Sequence, residues 1–345
     1  MTTGSPAMPA VKVSVSAAPP AVRRDWLPIL IVPALAAAAL PLIGNFSGWL
    51  TLTVAGLAMG MMIFIMASGL TLIFGLMDVL NFGHGVFISI GAFAVTLVVL
   101  PLATMVQADS VLLNIAVLLL CAIVAMVLTG ALGWAFERVI VRPVYGQHLK
   151  QILVTMGGMI VAEQLIHVFW GADPISVPPP EAFRGSILIG EAAIERYRIL
   201  AVAVGLVVFA AMLLVLNRTK IGLLIRAGVE NGEMVEALGY RIRRLFVGVF
   251  VAGSALAGLG GVMWAFYRQT LTPGMGMEVM VLIFIVIIVG GLGSVGGCFL
   301  GSLLVALVAN YTGFLAPKVA LGSNILLMVL ILMWRPQGLY PVAKR

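Results

Sequence analysis

ILAVAVGLVVFAAMLLVLN (199–217), RTKIGLLIRAGVENGEMVEALGYRIRR (218–244) and LFVGVFVAGSALAGLGGVMWAFY (245–267) follow one another in this chain. Nine of its 33 charged residues fall in the middle 27, between two apolar runs that carry none. About 20 apolar residues suffice for a helix to cross the hydrocarbon of a bilayer, so the stretch reads as two membrane spans joined by a polar platform.

The rest of the chain has the same grain. Hydrophobic residues make up 62% and charged residues 10% of 345, and the mean hydropathy of +1.17 lies far from that of a soluble domain. Apolar runs near 27–44, 50–74, 79–100, 111–136, 151–170, 199–217, 245–267, 279–293, 297–316 and 321–334 predict an all-α polytopic membrane protein with about ten spans. Eight spans remain open, because 279–293 is short and is followed by a glycine cluster that suits a re-entrant pair. The net charge of +7 comes from basic residues scattered between apolar runs without interleaved aromatics, which excludes a nucleic-acid surface. With the N-terminus in the cytoplasm, 15 of the 20 Lys and Arg fall inside, at 1–24, 137–150, 218–244 and the C-terminus. That is the bias that orients spans. Residues 1–24 read as a disordered cytoplasmic tail, 25–340 as the transmembrane domain and 341–345 as a second cytoplasmic tail. Arg23 and Arg24 before the apolar run resemble a signal peptide, but the many spans that follow favour an uncleaved first helix. Cys121 and Cys298 lie inside apolar runs without partners at motif spacing, so neither a disulfide nor a metal site follows.

Two stretches interrupt their spans with glycine and polar residues: Asn81-Phe82-Gly83-His84-Gly85 and Gly290-Gly291-Leu292-Gly293-Ser294-Val295-Gly296-Gly297. Non-helical backbone at membrane depth is tolerated only where protein covers it or water reaches it, and paired interruptions in two halves mark transporters built from repeats. Asn81, Phe82, Gly83, His84, Gly85, Gly290, Gly291, Gly293, Ser294 and Gly297 are therefore assigned to a translocation path. Gly85-Val86-Phe87 is echoed by Gly297-Cys298-Phe299. The competing reading is close helix packing, which Gly297 and Gly301 would also serve. Gly291-x-Gly293-x-x-Gly296 matches a dinucleotide fingerprint in form only, since no acidic residue follows at the required distance, and no G-x-x-x-x-G-K-[ST] sequence occurs. Any ATP that drives the protein must be bound by another chain.

Ionisable groups at membrane depth are few: Asp78 and His84 beside the first interruption, and Glu163 and His167 four residues apart on one helix face. The latter pair reads either as a structural contact or as part of a proton relay. The three histidines form no metal-ligand spacing and no catalytic constellation is present, so the expectation is a transport subunit and not an enzyme.

In 218–244, Gly222, Arg226 and Ala227 precede an acidic stretch of Glu230, Glu233 and Glu236, and Arg241, Arg243 and Arg244 close it. The pattern suits two short amphipathic helices punctuated by glycine, a knob able to dock on a motor subunit.

Leu80 to Gly85, Arg142-Pro143, the run from Arg226-Ala227 through Glu230-Asn231 to Glu236-Ala237-Leu238-Gly239-Tyr240, Gly290 to Ser294, and Arg335-Pro336-Gln337-Gly338-Leu339 together resemble the branched-chain amino acid ABC-importer permease family. The five motifs stand in that family's order over roughly residues 50–340, and the chain is most similar to its smaller permease. The resemblance implies a bacterial inner-membrane assembly with a second, homologous permease, two ATPase subunits carrying ATP and Mg, and a periplasmic solute-binding protein. It places Glu230, Asn231, Glu236, Ala237 and Gly239 in the loop that docks into the ATPase, and suggests the outer loop 171–198 as a contact for the binding protein or a plain connector. Gly83, Gly296 and Tyr240 depart from the family's usual alanine, proline and β-branched residue. Urea, short amides and aromatic acids therefore stay open as solutes beside amino acids, and an ion-coupled secondary transporter stays open as the rival class.

Overall fold

In hydrocarbon a helix is the one local structure that satisfies every backbone group within its own segment, and the long apolar runs fold accordingly. The computed structural model describes residues 27–230 and 232–340. The tails expected at 1–24 and 341–345, and Asn231, lie outside the described residues. Ten apolar helices are present among those described: α1 (Leu27–Ile43), α2 (Phe46–Met77), α3 (His84–Val99), α5 (Val111–Phe136), α6 (His148–Trp170), α7 (Arg196–Arg218), α10 (Ile242–Arg268), α11 (Met275–Gly290), α12 (Val295–Leu315) and α13 (Ala320–Trp334). Three short ones connect them, α4 (Ala103–Val106), α8 (Lys220–Glu230) and α9 (Gly232–Ala237). Six of the ten are long and apolar enough to cross a membrane alone, while α1, α3, α11 and α13 are shorter.

Small residues decide which helix is central. In α2, 78% of the most apolar window is buried, against 17% in α6 and α7. Its Gly56, Gly60, Gly69 and Gly75 lie against α12, α10 and the 291–294 turn. Helix α10 is its antiparallel neighbour, with Gly253 against Gly69 and Gly260 against Met66. The outer helices α5, α6, α7 and α13 show leucine, valine and phenylalanine outward, as lipid contact requires.

The bundle has two distinct ends. One, the basic end, carries 137–147 and 218–241; Arg138 and Arg142 share a cleft there with Arg243 and Arg244. The opposite end carries 171–195. Instead of a plain connector, this loop folds into strand β1 (Ile175–Ser176) and the hairpin β2 (Ser186–Ile189) with β3 (Ala192–Glu195). Strand β1 pairs with β4 (Thr270–Leu271), just after α10.

Two halves repeat one plan. Helix α2 ends at Met77 and α10 at Arg268, α3 begins at His84 and α11 at Met275, and these two end at Val99 and Gly290. The interval is 191 residues at all three boundaries. Asp78 (φ 52°) caps α2 and Gln269 (φ 57°) caps α10, and they are the only described non-glycine residues in the left-handed region. Packing repeats as well: α2 lies on α12 as α10 lies on α5, and α3 touches α5 and α6 as α11 touches α12 and α13. Five apolar helices per half, an odd number of crossings, turn the second half upside down relative to the first.

Candidate functional site: two half-helices meeting inside the bundle

The inverted repeat sets two helix N-termini against each other. From Asp78, paired with His148 at 3.7 Å on the basic end, residues 79–83 run back into the bundle without helical structure. Helix α3 then starts beside the middle of α2: the His84 ring, fully buried, places Nε2 3.0 Å from the Met66 carbonyl. Met66 lies 11 residues before the end of α2, about 16 Å along its axis. Residues 269–274 enter from the opposite end in the same way. Gly274, the N-cap of α11, lies beside Glu163, seven residues and about 10 Å short of the end of α6 at Trp170.

Gly85 and Gly276 are where the halves touch. A Cβ on Gly85 would stand 2.8 Å from the Gly276 carbonyl oxygen, and one on Gly276 would collide with that of Gly85. Only hydrogen at both positions allows this approach. Neither Gly83 nor Gly274 caps its helix with a side chain, and turn carbonyls take several of the first N–H groups, so two helix N-termini, each with the partial positive charge of its aligned peptide dipoles, lie at membrane depth. The Gly276 N–H is met by Ser89 Oγ at 3.0 Å.

Around the first interruption the polar atoms are only partly satisfied. The Phe82 N–H donates to Thr155 Oγ1 at 3.2 Å, and the Phe82 ring packs tilted against Phe284, centroids 4.7 Å apart. Asn81 is buried with Nδ2 and Oδ1 both lacking a protein partner, and His84 Nδ1 and Gln151 Oε1 are in the same condition. Buried amides without partners cost about 1–3 kcal/mol each, so these atoms are available to a polar solute or to water.

The glycine cluster has a different role from the one its sequence suggested. Gly290 ends α11, Gly291 (φ 104°) and Gly293 (φ 79°) form a tight turn, and Ser294 caps α12 by accepting the Gly297 N–H at 3.0 Å. Gly293 packs on Gly75 of α2, 2.8 Å from its Cα if given a Cβ. This turn joins two helices at the basic end, so the counterpart of Gly85 is Gly276 and not Gly297. Residues 269–274, read from sequence as part of an outer loop, are the second interruption. The shared signal was Gly83-x-Gly85 and Gly274-x-Gly276, 191 residues apart. Thr155, Gln151 and Ser89 were also missed, since isolated hydroxyls and amides in apolar helices carry no spacing.

The ionisable groups do not form one route. Glu163 makes no ion pair with His167; its carboxylate sits at the N-terminus of α11, where the helix dipole favours it. Asp78 and Glu163 therefore belong to opposite ends. In the turn before α6, Tyr145 donates to Glu137 Oε1 at 2.8 Å, and burial beside that carboxylate pushes the phenol above its ordinary range.

The loop at 218–244 forms the knob its pattern predicted. Gly222, in the first turn of α8, lies so close to the Leu216 carbonyl that a Cβ would collide with it. The Arg226 guanidinium reaches Asn217 Oδ1 at 3.4 Å, Ala227 continues α8, Glu230 ends it, and Glu236 and Ala237 end α9. Gly239 (φ 87°) turns the chain, its N–H donating to the Glu236 carbonyl at 2.9 Å. Leu223, Met234, Leu238 and Tyr240 are exposed on the knob, an apolar surface that counting charges had hidden.

Residues 52–334 match the family model described as "Branched-chain amino acid transport system / permease component". The chain is 29% identical over 297 residues to the high-affinity branched-chain amino acid transport system permease protein BraD of Pseudomonas aeruginosa, covering 83% of this chain and 94% of that one. It is 26% identical over 291 residues to the corresponding protein LivH of Escherichia coli K12, covering 82% and 92%. A third relative, named "Probable branched-chain amino acid transport permease protein LivM", from Methanocaldococcus jannaschii, is 24% identical over 241 residues, 64% of this chain and 68% of that one. No solved structure matches the chain. With ten apolar helices in inverted halves and a family model spanning nearly all of them, the chain belongs to the branched-chain amino acid transport system permease family.

Proposed function

We propose that the chain is the permease subunit of an ATP-driven importer for branched-chain or other small amino acids, working beside a second homologous permease, with ATP hydrolysed on two separate subunits and solute delivered by a binding protein. The observation that carries this reading is the pair of half-helices whose N-termini meet at Gly85 and Gly276. Helix N-termini at membrane depth favour the carboxylate of a zwitterion, and the apolar helices around them tolerate an aliphatic side chain. Glu163 already stands at the α11 N-terminus, which leaves the α3 N-terminus for the solute carboxylate.

The distribution of Lys and Arg supports a cytoplasmic basic end, and the membrane in this reading is a bacterial inner membrane. The knob α8–α9 then faces the motor, offering Leu223, Met234, Leu238 and Tyr240 to an ATPase groove, while the β2–β3 hairpin faces the solute-binding protein. Closure of the ATPases would push the knob and rock one inverted half against the other. The translocation path runs past Asn81 to Gly85 and past 269–274, with Gly290 to Gly297 as the hinge turn at its cytoplasmic end. An ion-coupled mechanism lacks a continuous set of titratable groups, since Asp78 and Glu163 sit at opposite ends.

The test is solute uptake into proteoliposomes holding this chain with its copurifying subunits. Gly239 has open space around it but a left-handed backbone, so Gly239→Val strains the turn without a clash. ATP-dependent leucine uptake that Gly239→Val abolishes while the chain stays assembled supports the reading. Uptake without ATP that collapses with the proton gradient overturns it.

A further inference from the structure

Four arginines from two helices converge at the basic end. Arg138 and Arg142, following α5, and Arg243 and Arg244, in the first turn of α10, line one cleft of about 410 Å³ with Trp134 and Glu137. None of the four pairs with a carboxylate among the described residues. Glu137, buried in the same cleft, takes its hydrogen bond from Tyr145, so one carboxylate stands against four guanidinium groups. Arg138 lies 5.5 Å above the Trp134 ring, an aromatic half exposed at the level where tryptophans anchor to headgroups.

Arg244 also closes the lower end of a second cavity, an apolar groove of about 640 Å³ between α2, α7 and α10. The groove runs along α10 from Arg244 past Gly248, Ala252 and Ala255 to Leu259, 15 residues or about 22 Å, more than half the hydrocarbon thickness. Apart from Arg244 every side chain lining it is apolar, and Ile221 and Ile225 of α8 form its floor. A guanidinium cluster that shares Arg244 with an apolar slot of that length suits one ligand class, a phosphate joined to an acyl chain. A soluble acidic protein could reach the arginines but not Val208 or Met126, which line the groove at span depth.

We propose that an anionic phospholipid of the cytoplasmic leaflet binds here, its phosphate among Arg138, Arg142, Arg243 and Arg244 and one acyl chain in the α2–α7–α10 groove. The assignment of leaflet rests on the cytoplasmic placement of the basic end; the binding itself does not depend on the solute or on ATP. A lipid so placed touches α8 and thereby the first helix of the coupling knob.

Native mass spectrometry of the full chain with its copurifying subunits, titrated with phosphatidylglycerol or phosphatidylcholine of matched chains, tests this. Phosphatidylglycerol is expected to be retained at roughly tenfold lower concentration or better. The preference should fall to within about twofold when all four arginines are replaced by glutamine and persist when they are replaced by lysine. Gly248 meets nothing within 4 Å, so Gly248→Leu fills the groove without disturbing the fold and should weaken both lipids equally. Equal retention of the two lipids, a preference that survives the glutamine variant, or no effect of Gly248→Leu would overturn the proposal. So would displacement by inorganic phosphate, which marks a free-anion site, or protection of the cleft by the ATPase subunits alone, which marks a protein contact.

Discussion

Residues 78–83 and 269–274 share a backbone and differ in chemistry. Each leaves a long helix through a left-handed cap, runs five residues without helix and starts a 16-residue helix at an uncapped glycine. At matching positions, however, Asn81 stands against Thr272, His84 against Met275 and Ser89 against Met280. The first segment holds buried amide and imidazole atoms without partners; the second is braced by β1, and the Gly276 N–H is tied to Ser89. The repeat supplies the architecture twice, and of the two interruptions the first is the one with buried polar atoms that have no protein partner among the described residues. Such groups can find partners when the helices rearrange, which makes the first copy the candidate moving part and the braced second copy the candidate fixed one.

The largest effect is expected where the halves touch. Gly85→Ala and Gly276→Ala each place a methyl group against a backbone carbonyl that cannot yield, and overpacking of this kind costs about 1–3 kcal/mol or more. Unfolding temperature in detergent should drop for both, and uptake should be lost. If Gly85→Ala were tolerated, the mid-bundle contact would not exist in the working protein.

Next comes the contrast in chemistry. Asn81→Leu removes two buried unpaired atoms and is expected to raise stability by up to about 1–3 kcal/mol, while uptake falls. Thr272→Val should change stability by less than about 0.5 kcal/mol and leave uptake nearly intact. Equal responses at the two sites would dissolve the distinction between moving and fixed copies.

The shared caps give a smaller and symmetric effect. Val at Asp78 or Gln269 should cost about 1–2 kcal/mol, the usual penalty of the left-handed region, whereas Gly at either should be neutral or stabilising. Thermal unfolding of the four variants checks whether the two caps respond in parallel, as the 191-residue interval requires.

Much of this architecture is legible in the sequence. The ten apolar runs fall on the ten apolar helices because exclusion of water forces backbone into helices wherever side chains are apolar for long enough. The α8–α9 knob was legible for the opposite reason, that charge and glycine cannot be hidden in lipid. Depth was not legible. Thr272-Pro273-Gly274 has the composition of an ordinary loop, and only the packing of Gly276 on Gly85 shows that it enters the bundle. The glycine cluster at 290–297 misled because a tight turn and a membrane break call for the same residue.

Ser89 sharpens the comparison most finely. Its hydroxyl accepts the Gly276 N–H at 3.0 Å and reaches the Pro273 carbonyl at 3.5 Å, so one side chain of α3 ties the start of α11. Met280, its counterpart, makes no such bond to the start of α3. Ser89→Ala should cost about 0.5–1.5 kcal/mol, a small drop in unfolding temperature, because α10, α12 and β1 still hold the second half. Its informative readout is hydrogen exchange. If α11 is the fixed copy only because Ser89 anchors it, protection of the Gly276 and Met277 amides should fall toward that of Gly85 and Val86. If protection stays unequal, the strand brace at 270–271 is what makes the second half rigid, and the asymmetry lies in the loops and not in the helix contact.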